Sequence, residues 1–136
     1  MINGVILQKL QSLDVVLMEL RSLGIVTVNQ IESDWRTRRA IERDLQIAVE
    51  IVIDVCQRIL SLSGQTPATT SADAVSRAVQ LGVLSDFDAY RKMVQMRNFI
   101  VHRYERVDVK ILVEIVNEQL DDLERFRREV LAYVQD

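Results

Sequence analysis

The sequence predicts an all-α protein, an up-and-down antiparallel bundle of four long helices plus one short helix. Its 136 residues include only four glycines and one proline, so few residues favour tight turns. Ile, Leu, Val, Ala, Glu and Arg recur at helical spacing, a combination that favours helix over a sandwich or barrel. The connections between successive helices are short, which favours antiparallel neighbours. We expect a single domain over residues 1–136, because the chain is too short to divide comfortably into two.

Apolar stripes predict the first two helices. Between Ile6 and Leu20 the apolar residues lie three and four positions apart, and Gly24 is placed to end this helix. A longer stripe from Ile41 to Ile59 predicts helix two, which stops before the turn region that contains Pro67. Helix two also carries apolar residues away from this stripe, at positions 47 and 51. They indicate a second apolar contact, for which another subunit is one candidate.

Capping residues mark the remaining three helices. Ser71 is the predicted N-cap of the short helix, and Gly82 is placed to close it. Ser85 or Asp86 then caps a fourth helix, and Asp108 opens a fifth that runs to the C-terminus. The fourth helix therefore leads directly into the most informative segment of the chain, residues 97–105.

Composition limits the function classes. A net charge of −3 argues against broad electrostatic binding of nucleic acid, so any such contact must be local. The single Cys56 lies in an apolar run and is expected to be a core residue in a reducing cytoplasm. Charged residues interrupt every long apolar stretch before it reaches the length needed to span a bilayer, and the sequence shows no N-terminal leader pattern. We therefore expect no membrane segment. One His and one distant Cys give no recognisable metal-ligand set, and we expect neither a metal nor a cofactor.

The segment from Arg97 to Glu105 gathers the only histidine with two arginines and a tyrosine near a helix end. On a regular helix, Arg91, Asn98 and His102 share one polar strip. Arg97 instead projects into an apolar arc, where it needs a carboxylate, an interface or a phosphate. Glu50 and Asp54 are candidate acids within the same bundle, and a second subunit is the other possibility.

Arg97 and His102 are separated by about 140° on a regular helix, too far to meet at one small atom within a subunit. Two arrangements would bring them together. The helix ends near Val101 and the chain turns back, or two subunits pack their fourth helices against each other.

A histidine beside an arginine is suited to RNA cleavage. Its ordinary pKa near 6.5 lets His102 take a proton from a ribose 2′-hydroxyl, while Arg97 holds the phosphate as charge develops. A purely structural role, with His102 at a helix end and Arg97 paired to an acid, is the competing interpretation.

The pattern R-N-x-x-x-H-x-Y, from Arg97 to Tyr104, resembles the signature of the HEPN superfamily, specifically its HepT-like toxins. The resemblance continues in residues 43–50, 82–84 and 104–108 and so covers most of the chain. It implies a homodimeric HEPN-like bundle whose two motifs meet in a cleft, acting as a metal-independent endoribonuclease toxin on cellular RNA.

The resemblance also implies residue roles and a partner. Arg97 would stabilise the phosphate, His102 would be the general acid or base, and Asn98 would orient substrate or histidine. Tyr104 would line the site and would be the residue that a minimal nucleotidyltransferase (MntA-like) antitoxin modifies with adenylate. Arg91 and Arg103 are candidate RNA contacts. The alternative function is a non-catalytic nucleotide-binding or scaffold module that partners such a nucleotidyltransferase, since both functions need a phosphate clasp.

Overall fold

The computed structural model describes residues 3–86, 88–102 and 108–135, and residues 97–102 by their backbone alone. The described residues form helices joined by short connections, with no strand among them, which confirms the all-α prediction. In chain order the elements are α1 Gly4–Arg21, α2 Val28–Ser33, α3 Trp35–Leu62, α4 Ser71–Gln80, α5 Asp88–His102, α6 Val109–Glu114, a π-helical turn Ile115–Gln119, and α7 Leu120–Val134. The last three follow one another without a break and act as one long helix. Four long helices are therefore present as predicted, with two short helices rather than one.

Ion pairs between helices show that α1 runs antiparallel to both of its long neighbours. The pairs are Lys9 to Asp54 at 3.3 Å, Arg21 to Asp121 at 3.0 Å, and Arg127 to Asp14 at 2.6 Å. The start of α1 thus lies beside the end of α3, and the end of α1 lies beside the start of α7. In the described part of the chain, no helix is long and apolar enough to cross a membrane.

The second apolar contact of α3 is made within the same chain. This helix packs against α1, α2, α4 and α5, so it is the central helix of the bundle. Ile51, which lies off the main stripe, is buried, and Ile47 packs on the same core. The wide apolar arc of α3 therefore serves its own neighbours and does not require another subunit.

The additional short helix, α2, is stabilised by local and long-range contacts. Thr27 and Gln30 form a capping box, in which each side chain bonds the backbone N–H of the other residue. Ile31 is fully buried beneath them. Just before the helix, the Asn117 side-chain amide bonds both the N–H and the carbonyl of Val26, each at 2.9 Å. The π-helical turn that carries Asn117 thereby fixes the α1–α2 connection.

The structure revises one predicted cap and confirms another. Thr70 is the N-cap of α4, because its hydroxyl accepts a hydrogen bond from the backbone N–H of Asp73 at 3.0 Å. Ser71, the predicted cap, is the first helical residue. Gly82 follows α4 with φ of 82°, as its predicted closing role requires. Asp108 caps α6 by accepting from the N–H of Lys110 at 2.9 Å.

Candidate active site

The start of α5 is attached to α7 through one carboxylate. Glu129 accepts hydrogen bonds from the Ser85 backbone N–H at 3.0 Å, from the Ser85 hydroxyl at 2.8 Å and from the Tyr90 hydroxyl at 2.8 Å. Arg125 donates to the Ser85 hydroxyl at 2.9 Å, and its Nε lies 3.6 Å from Glu129. Ser85 is therefore engaged with α7 in this network, which we call the Glu129 clamp.

The Glu129 clamp determines the protonation of its members. Burial of Glu129 opposes ionisation, but hydrogen bonds from Ser85 and Tyr90, together with the Arg125 guanidinium, outweigh it and hold the pKa of this carboxyl below its ordinary value. Burial and the neighbouring carboxylate raise the pKa of Tyr90 far above its ordinary range. Tyr90 therefore remains a neutral donor and Glu129 a charged acceptor at neutral pH.

Replacing Glu129 with glutamine should make the free energy of unfolding depend less on pH in the acidic range. The lowered pKa of Glu129 contributes stability that is present above its unfolded pKa, near 4.3, and that is lost as pH falls through the folded pKa. The difference in free energy of unfolding between wild type and Glu129→Gln should therefore shrink from pH 6 to pH 3, in urea unfolding at one protein concentration. The exposed Glu118→Gln is the control, with a difference that stays small throughout. A Glu129 difference that is constant with pH would contradict this assignment.

Beyond the clamp, α5 buries one side against α3 and α7. Tyr90, Met93 and Val94 are buried, and the Tyr90 ring meets Phe126 of α7 edge-on, with 6.0 Å between the ring centroids and 80° between the planes. These contacts fix the rotation of α5 about its axis. They therefore determine which face the last two turns of α5, residues 97–102, present to the rest of the bundle.

A groove of about 420 Å³ lies between α3, the part of α5 up to Met96, and the α6–α7 helix. Its lining residues are Leu45, Val49, Ala89, Lys92, Met93, Gln95, Met96, Asp108, Ile111, Glu114, Ile115, Gln119, Asp122 and Leu123. The floor is apolar, and among the lining residues that the structure describes, Asp108, Glu114 and Asp122 are acidic and Lys92 is basic. Burial and neighbouring Asp121 raise the pKa of Asp122 above its ordinary value.

The structure locates the predicted motif on α5 by its backbone. Arg97, Asn98 and His102 belong to the last two turns of this helix, and their side chains lie outside the described residues. Arg103 and Tyr104 also lie outside the described residues. Their predicted roles therefore stay predictions. The described backbone of α5 reaches His102 and the next five residues lie outside the described ones, so the alternative in which the helix ends near Val101 and the chain turns back stays a prediction.

Two other sequence candidates can be followed in the structure. Arg91, a candidate RNA contact, forms an ion pair with Asp86 at 2.8 Å and remains half exposed. Asp54, proposed as an acid for Arg97, pairs with Lys9 on the α1 side of α3. The side chain of Arg97 lies outside the described residues, so its partner stays a prediction. Glu50 accepts a hydrogen bond from Gln46 at 3.2 Å.

Sequence reasoning missed the Glu129 clamp. Glu129 is the last residue of the charged run 124–129 within α7 and has no local feature that separates it from its acidic neighbours. Its partner Ser85 is 44 residues away in sequence, so only the folded bundle reveals the contact.

Comparison with known proteins identifies close relatives in fold and sequence. The family model described as Ribonuclease HepT-like matches residues 14–130. The mRNA nuclease HepT of Shewanella oneidensis is 27% identical over 100 residues, which cover 72% of this chain and 75% of that protein.

Solved structures agree with the bundle fold. The tri-AMPylated Shewanella oneidensis HEPN toxin in complex with MNT antitoxin superposes with a TM-score of 0.86 at 23% identity, covering 96% of this chain and 99% of that one. A toxin–antitoxin complex with AMP-PNP gives a TM-score of 0.85 at 23% identity with the same coverage. These likenesses show that the chain has a HEPN-like fold.

Proposed function

The chain belongs to the ribonuclease HepT-like family, and from this premise we propose that it is the toxin of a toxin–antitoxin system, an endoribonuclease that cleaves cellular RNA. The observation that carries the proposal is the family match over residues 14–130, which includes the complete R-N-x-x-x-H motif on α5. The related Shewanella oneidensis protein is named an mRNA nuclease, which supports RNA as the substrate class.

The reaction needs no group beyond the chain's own side chains and the substrate. The ribose 2′-hydroxyl attacks the adjacent phosphorus, the bond to the 5′-oxygen breaks, and a cyclic phosphate forms. His102 of one subunit takes the proton from the 2′-hydroxyl, and a second histidine delivers a proton to the leaving 5′-oxygen. Arg97 stabilises the charge that develops on the phosphate, and Asn98 orients the substrate or the histidine.

We propose that two subunits form the site. The helical backbone of α5 extends through His102, which leaves Arg97 and His102 about 140° apart on one helix. A symmetric dimer that pairs two α5 helices brings Arg97 of one subunit near His102 of the other and supplies the second histidine.

Mixed dimers test this arrangement. When wild-type subunits are combined with subunits carrying both Arg97→Ala and His102→Ala, the mixed dimer retains Arg97 and His102 in one subunit only, so a site built from both subunits is incomplete and the mixed dimer should be inactive. The double variant alone stays inactive. If purified mixed dimers keep about half of the wild-type activity, each site lies within one subunit.

A partner follows from the relatives. Because a related toxin is solved in tri-AMPylated form with an MNT antitoxin, we propose that an MntA-like nucleotidyltransferase neutralises this protein by adding adenylate to Tyr104. The added phosphates would place negative charge beside the site and repel RNA. A toxin that acts on cellular RNA, with a single buried thiol, fits the cytoplasm as its place of action.

Incubation of the purified protein with RNA tests the function directly. We expect cleavage that persists in excess EDTA and leaves 2′,3′-cyclic phosphate ends, since the general acid and base are side chains. Cleavage only after a divalent metal is added would contradict metal independence. Binding of adenine nucleotides without any cleavage, under all of these conditions, would favour the scaffold function instead.

A further inference from the structure

The first turn of α3 exposes the chain's only tryptophan. Trp35 is 68% exposed, although a side chain of this size ordinarily loses most of its surface on folding. The Arg36 guanidinium lies over its ring, 5.4 Å from the ring centroid. An exposed aromatic face beside an arginine is the combination on which unpaired nucleic acid bases stack.

Three exposed arginines extend from this tryptophan along α3. Arg36, Arg39 and Arg43 are spaced i, i+3 and i+7, so they share one face of the helix, and all three are exposed. With Trp35 they form what we call the α3 stripe. No carboxylate of the described residues forms an ion pair with Arg36 or Arg43.

Two acids border the α3 stripe: Asp34 interacts electrostatically with Arg36 at its start, and Glu42 is largely neutralised by an arginine outside the stripe. Glu42 is nearly buried and pairs with Arg38, Nε to Oε1, at 3.2 Å. Its contact with Arg39 is longer, at 3.7 Å, and the Arg39 side chain remains 68% exposed. The outer face of the stripe is therefore cationic on a protein whose net charge is −3.

The α3 stripe lies at the same end of the bundle as the motif. The start of α5 is tied by Tyr90 to Glu129, near the end of α7. The last residues of α7 line a pocket with Ile59 and Leu62, at the end of α3. Therefore α5 begins beside the end of α3 and runs toward its beginning.

The groove residues agree with this direction. Leu45 and Val49 of α3 line it together with Met93 and Met96 of α5. From Val49 back to Arg43, and from Met96 on to His102, the helices each advance six residues, about 9 Å in the same direction. The α3 stripe and the last turn of α5 are thus at neighbouring positions along the bundle axis.

We propose that the α3 stripe binds single-stranded RNA substrate, with Trp35 stacking on a base and Arg36, Arg39 and Arg43 contacting phosphates. This inference rests on the proposed ribonuclease function. An acidic protein needs a local cationic surface to hold RNA. The stripe supplies that surface at the same level of the bundle axis as the cleavage motif.

Binding of a single-stranded 2′-O-methyl oligonucleotide to the full-length protein tests this directly. This probe lacks the attacking hydroxyl, so binding is measured without cleavage. Fluorescence anisotropy should show a preference for the single strand over a duplex of the same sequence. Emission from the only tryptophan should be quenched as the probe binds.

Substitutions separate stacking from charge. Trp35→Ala should weaken binding about 5- to 100-fold and leave the salt dependence unchanged. Arg43→Gln should lower the slope of log affinity against log salt by about 0.7, the value for one phosphate contact on a single strand. Arg58→Gln, an exposed arginine at the far end of α3, is the matched control and should leave both quantities unchanged. All variants should have the wild-type thermal midpoint, since these side chains are exposed.

Three outcomes would overturn the proposal. In the first, Trp35→Ala and Arg43→Gln bind the probe as tightly as Arg58→Gln does. In the second, a duplex binds as tightly as the single strand. In the third, the stripe variants lose binding to the nucleotidyltransferase antitoxin but keep binding to the probe. Its failure and that of the ribonuclease proposal are distinguishable. If ordinary RNA is cleaved but substitutions in the α3 stripe leave probe binding unchanged, only the proposal for the stripe is refuted. If probe binding depends on the stripe but no RNA is cleaved, only the ribonuclease proposal is refuted.

Discussion

His102→Ala is expected to lower the rate of RNA cleavage by about 10²- to 10⁴-fold, the usual contribution of a general acid or base. His102 is the chain's only histidine, so no other imidazole can replace it, and it is the last residue of α5. The measurement is the single-turnover rate on end-labelled RNA in EDTA. Because only the end of a helix is changed, the thermal midpoint should remain close to that of the wild type.

Lys110→Ala is the matched control for this substitution. Lys110 is exposed at the start of α6, eight residues after His102, and it has no place in the proposed site. Its loss removes a nearby charge and should leave the cleavage rate within about twofold. Cleavage by His102→Ala at the wild-type rate, with soluble protein of matched oligomeric state, would remove the histidine from the mechanism.

Apolar spacing predicted most of the fold because each long helix buries one clear stripe. It missed α2, which has six residues and a single buried side chain, Ile31, too few for a periodic pattern. A signal was nevertheless present, since Thr27 and Gln30 have the spacing of a capping box. Caps therefore reveal short helices that hydrophobic periodicity does not.

Hydrophobic periodicity also did not predict the π-helical turn in the last helix. Ile115 and Val116 are buried next to each other, and the following buried residue is Leu120, so the spacing changes only locally. The consequence of the turn is long-range. Asn117 is separated from Val26 by 91 residues, and its two hydrogen bonds to that backbone follow from the packing of α2 on α6.

The candidate site, like the fold, could be predicted from the sequence only in part. The motif residues Arg97, Asn98 and His102 could be predicted from sequence because their types and spacing are local to one helix. The elements that hold that helix could not. Glu129 acts on Ser85 and Tyr90 across the bundle, and the α3 stripe becomes relevant only when α5 is seen to run toward the start of α3.

The largest expected loss of stability follows Phe126→Ala. Phe126 is fully buried and meets Tyr90 edge-on, so its removal leaves a cavity where α5 packs on α7. Large-to-small substitutions of a buried phenylalanine cost about 3–5 kcal/mol. Urea unfolding at a fixed protein concentration measures this, since the proposed dimer would make apparent stability depend on concentration.

Two further variants separate the cavity from other causes. Phe126→Leu keeps most of the volume and should cost less than about 1.5 kcal/mol, while the partly exposed Tyr133→Ala should cost about 1 kcal/mol or less. A cost below about 1.5 kcal/mol for Phe126→Ala would mean that α5 is held mainly by the Glu129 clamp. In that case Glu129→Gln should be the more damaging substitution, because the motif helix would depend on its polar attachment rather than on its aromatic contact.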